Sequence, residues 1–145
     1  MAERGNPLVV LRSAILTQLG AHASSSALTV TSTRPTSWPV SGTYTIITNF
    51  GESDEEFVGL DATDARFFTM TFARAPKGDT EPDVTALTND GLIKEALTEG
   101  TLTLNASWGM VSLVPLDAEG IASDNQSYNF YTIAREWHTR IDFTG

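Results

Sequence analysis

Two histidines, His22 and His138, are the side chains best suited to proton transfer or metal ligation near neutral pH. Neither stands in a metal-ligand or nucleophile pattern. His138 and Asp142 have the chemistry of an acid–base dyad, but four residues along a straight strand separate them by about 13 Å. Asp79, Glu81 and Asp83 repeat the spacing of the first ligands in a calcium-binding EF-hand loop. Val84, however, stands where the sharp turn needs glycine, and Asp90 replaces the bidentate glutamate. The simpler reading of these acids is a helix N-terminus, where the helix dipole stabilises negative charge. Glu52, Asp54, Glu55 and Glu56 could face a cation or a basic partner, and otherwise form a solvated loop. The sequence has no glycine-rich phosphate loop and no nucleophile elbow. It has no cysteine either, which removes disulfides and thiolate metal sites. These observations point away from an enzyme and call for no cofactor or metal.

Eighteen acidic residues against nine basic ones give a formal net charge of −9. An electrostatic grip on phosphates is therefore a poor candidate for the main function. No segment reaches the roughly 18 apolar residues of a membrane span. Arg4 followed by Leu8 to Leu11 has a faint signal-peptide look, but Arg12, Ser13, Thr17 and Gln18 interrupt the apolar run too early. The chain reads as soluble and made in a cytoplasm. Its 145 residues fit a single domain, 1–145, that buries about 68–70% of its unfolded surface.

Asn6 as N-cap, Pro7 at the first helical position and Gly20 after Leu19 frame a helix. Leu8, Leu11, Ile15 and Leu19 supply its core stripe, while Val9, Val10, Ala14 and Leu16 leave it little polar surface. Such a helix has two sides to bury. Leu28 to Thr33 reads as a short strand stopped at Arg34-Pro35, and Trp38 to Gly42 as a turn or loop. Strand character follows at Tyr44 to Asn49 and Phe57 to Leu60. Arg66 to Arg74 is a further strand, with Phe68, Met70 and Phe72 on one face and Phe67, Thr69 and Thr71 on the other. Pro82 to Glu99 has helical composition that Asn89-Asp90-Gly91 is placed to split. Leu102 to Val114 reads as strand and Asp117 to Ser127 as a polar loop. Of the three tryptophans, Trp137 suits the core, Trp108 the core or an interface, and Trp38 the surface.

Tyr128 to Phe143 closes the chain with an alternation broken by one charge in its apolar register, Arg135. Tyr131, Ile133, Trp137, Ile141 and Phe143 fall in one register, and Thr132, Glu136, His138, Arg140 and Asp142 in the other. At about 3.3 Å per residue this stretch would span about 53 Å, against a radius of gyration of about 15 Å for a domain of this size. The expectation is a bend at a bulge near Arg135, or an end that projects toward another subunit. The whole order predicts an α+β domain: a mostly antiparallel or mixed sheet with two main helices on one face.

This order resembles the tail terminator of long-tailed bacteriophages, the lambda-type minor tail protein U family. The likeness is architectural and runs over nearly the whole chain. It rests on the first helix, Leu8 to Leu19, a strand ending at Arg34-Pro35, and a strand pair around the acidic loop. Phe67 to Ala73 then passes through Pro76 into a helix, and Asp117 to Ser127 leads to a strand ending Arg140-Ile141-Asp142-Phe143. The resemblance implies a homo-oligomer, a hexameric ring that caps the tail tube, stops its elongation and meets the head-neck connector. It implies a place in the virion, at the head-proximal end of the tail, after assembly in the host bacterial cytoplasm. Contacts would come from the second side of the first helix (Val9, Arg12, Leu16), the acidic loop (Glu52, Asp54, Glu55, Glu56) and the strand end (Arg140, Asp142, Phe143). The acidic charge would let DNA pass the ring without sticking. The competing readings are another head-tail joining or tail-completion protein, a non-viral acidic binding domain, and, more remotely, a small hydrolase.

Overall fold

The computed structural model describes residues 6–52, 62–78, 82–99, 102–104 and 108–143. Helix α1, Pro7–Ala21, starts where the sequence predicts: the Asn6 side chain accepts the Leu8 N–H at 2.9 Å, and the Asn6 carbonyl accepts from Val9 and Val10. It runs through Gly20 and ends at Ala21, with the His22 N–H bonded back to the Gln18 carbonyl. The chain continues as β1 (Val30–Thr31), β2 (Thr43–Glu52), β3 (Ala62–Pro76), α2 (Pro82–Glu99), β4 (Trp108–Asp124) and β5 (Tyr128–Phe143). The five strands form one sheet in the order β1-β2-β3-β5-β4, antiparallel except for the β1–β2 pair. This is the expected α+β fold.

Both helices cover the same face of the sheet, because the residues of that face share one core with them. Leu11, Ile15 and Leu19 of α1 and Ile93, Ala96 and Leu97 of α2 meet Ile47, Phe67, Trp137 and Ile141. Phe67 and Trp137 are directly opposite across the β3–β5 ladder, both fully buried, with parallel rings 5.9 Å apart between centroids. Of the two faces of β3, the one bearing Phe67, Thr69 and Thr71 points inward. The inward threonines are accommodated by bonding one another and the indole: Thr45 Oγ1 lies 2.8 Å from Thr71 Oγ1, and Trp137 Nε1 donates to Thr69 Oγ1 at 3.0 Å.

The long closing strand is resolved by its neighbour. β5 pairs with β3 without a register shift from Ala62↔Asp142 to Pro76↔Tyr128, so it neither bulges at Arg135 nor runs on alone. Arg135 keeps its place in the apolar register because Asp90 of α2 reaches it. Its Nε donates to Asp90 Oδ1 at 3.1 Å, its Nη2 to Oδ2 at 2.7 Å, and its Nη1 to the Leu116 carbonyl at 2.7 Å. Asp90 is thus buried in mid-helix, and α2 runs unbroken through Asn89-Asp90-Gly91. The bulges lie instead on the edge strand β4, between Met110 and Ser112 and between Pro115 and Ala118.

Further boundaries differ from the sequence reading: of the strand expected at Leu102 to Val114, residues 102–104 are not strand and β4 starts at Trp108. The polar stretch from Asp117 is strand as far as Asp124, since edge position asks little apolar surface of it. Only Asn125 to Ser127 forms the turn, in which Asn125 Oδ1 accepts the N–H groups of Ser127 and Tyr128 at 2.8 Å. The strand expected at Leu28 to Thr33 shrinks to Val30–Thr31. In β2, Asn49 takes a left-handed conformation (φ 56) at a one-residue register shift between Thr48 and Gly51. Phe50 there stacks on Phe67 with centroids 5.3 Å apart.

Candidate assembly surfaces

The first helix has one side in the subunit and one outside it. Leu11, Ala14, Ile15 and Leu19 are buried, whereas Val9 is 56% exposed. Arg12 and Ser13 are exposed, and Leu16 is half-buried at the margin of the core. Val9, Arg12, Ser13 and Leu16 recur at the spacing of one helical stripe. Arg12 is the sole charged residue of α1 and has no acidic partner among the described residues.

The end of β5 is a central strand position. Arg140 is flanked by Asp64 of β3 and Ser112 of β4, Asp142 by Ala62 and Gly109, and Phe143 pairs with Trp108. The backbone ladder of this segment is therefore occupied, and no strand of a neighbour can add to it. Arg140 Nε lies 3.5 Å from Asp142 Oδ1, an oxygen sealed from solvent that accepts no hydrogen bond. His138 is exposed on the same face, its Nε2 3.5 Å from Glu136 Oε1. Asp64, Arg66, Glu136, His138 and Arg140 together make a mixed-charge surface of both signs. Of the acidic loop, Glu52 ends β2 opposite Ala65, while Asp54, Glu55 and Glu56 lie outside the described residues.

The residues weighed for chemistry do not converge. His22 Nδ1 accepts the Ser24 N–H at 3.1 Å, a local turn contact. Asp83 sits in the first turn of α2, its Oδ1 accepting the Val84 N–H, and Asp79 and Glu81 lie outside the described residues. Among the described residues no group of three His, Asp or Glu side chains is placed to hold a metal ion. Among the described residues no helix is long and apolar enough to cross a membrane.

A cluster on the face opposite the helices was not foreseen. Trp38, expected at the surface, is half-buried there: its ring meets Tyr44 edge-on at 5.0 Å and Phe130 at 6.0 Å. Tyr44 stacks on Phe72 at 5.0 Å. The Arg74 guanidinium lies between two rings, 4.9 Å from the centroid of Trp38 and 4.3 Å from that of Tyr128. Arg34 covers Phe72 at 5.3 Å. The chain between β1 and β2 is thereby pinned to the sheet at its β3–β5 end. The density of aromatics at Trp38, Tyr44, Phe72, Tyr128 and Phe130 was the available signal, but only the strand register shows that they share a face.

No family model and no curated protein matches the chain. Among solved structures, it is similar to a chain of the virion of a native gene transfer agent (GTA) particle. That likeness has a TM-score of 0.76 and 19% identity, and it covers 95% of this chain and 98% of the other. At that identity the similarity establishes a shared fold over nearly the full length of both chains.

Proposed function

We propose that this chain is a structural protein of a phage-like virion, and within it a tail terminator. Copies close into a ring on the end of the tail tube, stop its growth and present a surface to the head-neck connector. The observation that carries this reading is the end-to-end likeness to a chain of a gene transfer agent virion. The fold adds what such a part needs: a rigid sheet with a continuous β3–β5–β4 ribbon, and a helix whose second apolar side is left outside the subunit. A ring of six would carry six times the formal charge of −9. An acidic lumen in such a ring would repel the DNA backbone, which suits a channel through which the genome must slide.

The test is reconstitution with the tail-tube protein of the same phage-like particle. Tubes polymerised with it should be shorter and blunt-ended, with a ring at one end by electron microscopy. Tubes of unchanged length, together with binding to a head connector instead, would transfer the protein to a neck-joining role.

A further inference from the structure

We propose that copies of this chain assemble head to tail, the outer stripe of α1 on one copy seating in an acidic groove on the open sheet face of the next. This deepens the ring reading above and rests on it.

The groove has a volume of about 550 Å³. Phe68, Leu116 and Ala134 give it an apolar floor, and Asp117, Glu119 and Glu136 give it a carboxylate rim. The strand register places Phe68, Glu119, Ala134 and Glu136 on the face away from the helices. The Pro115–Ala118 bulge adds Leu116 and Asp117 to its lining. On the same face Val114 and Ile121, large apolar side chains 47% and 67% exposed, flank it on β4. Asp117 and Glu119 have no cationic partner among the described residues, and Glu136 has only His138, at 3.5 Å.

The α1 stripe has the opposite chemistry. Val9 and Leu16 are its apolar positions, and Arg12 between them is the one charge of the helix. Apolar side chains would meet the Phe68 and Leu116 floor, and the Arg12 guanidinium would meet the rim, where a planar cation can bond two carboxylates at once. Charge complementarity supports a second copy here, because Arg12 with its apolar flanks is the counterpart of a carboxylate-rimmed apolar groove, a local attraction set against the mutual repulsion of chains at −9. The two surfaces lie on opposite faces of one sheet, so the contact is heterologous. Contacts of that kind repeat from copy to copy and close into a ring when the rotation between copies permits.

Self-association measured by light scattering and native mass spectrometry tests this, with circular dichroism to confirm that each variant is folded. Arg12→Glu, and separately Asp117→Lys with Glu119→Lys, should each weaken association about tenfold or more, and combining all three should restore it. The chain has no cysteine, so a Val9→Cys copy mixed with a Glu119→Cys copy should form an intermolecular disulfide under mild oxidation. Rings that form unchanged in both charge variants, or single losses without rescue and without crosslinking, would overturn the contact and leave the ring reading intact. A wild-type chain that stays monomeric even with tail-tube protein would overturn the ring reading, and the contact with it.

Discussion

Arg135 of β5 and Asp90 of α2 form a two-pronged ion pair, at 2.7 and 3.1 Å, on the helix-covered face of the sheet. The arginine is also held by the Leu116 carbonyl, so three of its donors are used in a site where its side chain is 14% exposed and that of Asp90 6%. Removing one partner strands the other. Asp90→Ala or Arg135→Ala should therefore lower stability by about 3–5 kcal/mol, whereas a double replacement by well-packed apolar residues should come much closer to wild type. Urea denaturation of the three variants checks this.

Trp137 and Thr69 make the second prediction. The indole N–H has Thr69 Oγ1 as its partner inside the core. Thr69→Val keeps the shape and deletes the acceptor, and should cost about 1–3 kcal/mol by leaving a buried donor unsatisfied. Trp137→Phe should cost more, since it loses the bond and also opens a cavity against Phe67. Thermal and chemical unfolding of both variants report the difference.

Gly42 stands at φ 76, and a Cβ there would come within 2.9 Å of the Arg74 carbonyl oxygen. The Gly42 carbonyl accepts the Arg74 N–H, so the two backbones cannot part without losing that bond. Gly42→Ala should destabilise by about 1–3 kcal/mol, from the left-handed conformation and the close approach together. Faster amide exchange at Arg74 should accompany the loss.

Arg74 itself lies between Trp38 and Tyr128. Arg74→Lys preserves the charge but cannot lie flat between two rings, so it should lose part of about 1–2 kcal/mol, and Arg74→Ala the whole. Tryptophan fluorescence should register the change at Trp38 before global unfolding.

Duplex DNA gives a test of the channel. At low salt, where electrostatic attraction is greatest, the assembled protein should show no measurable binding to a short duplex by fluorescence anisotropy. Tight, salt-sensitive binding would contradict a lumen past which DNA slides.

Legibility in the sequence followed the range of the interaction. The alternation of β5 and the Asn6-Pro7 start of α1 are local patterns, and both stand in the structure as read. The Asp90–Arg135 pair bridges 45 residues, and without it Asp90 looked like a helix breaker and Arg135 like a bulge. The inward face of β3 was not legible because Phe68, Met70 and Phe72 are more apolar than the Phe67, Thr69 and Thr71 face that is buried, so composition points to the wrong side. Asp117 to Asp124 looked like a loop because edge strands need little apolar surface. The outer stripe of α1 was visible as surplus apolar character, but the groove proposed to receive it forms only once β3, β4 and β5 lie side by side.

The two bulges of β4 have one more consequence. They break the run of free N–H and C=O groups along that border of the sheet, and an interrupted border is a poor template for a foreign strand. Folded chains can therefore stay apart at high concentration instead of zipping edge to edge into fibres.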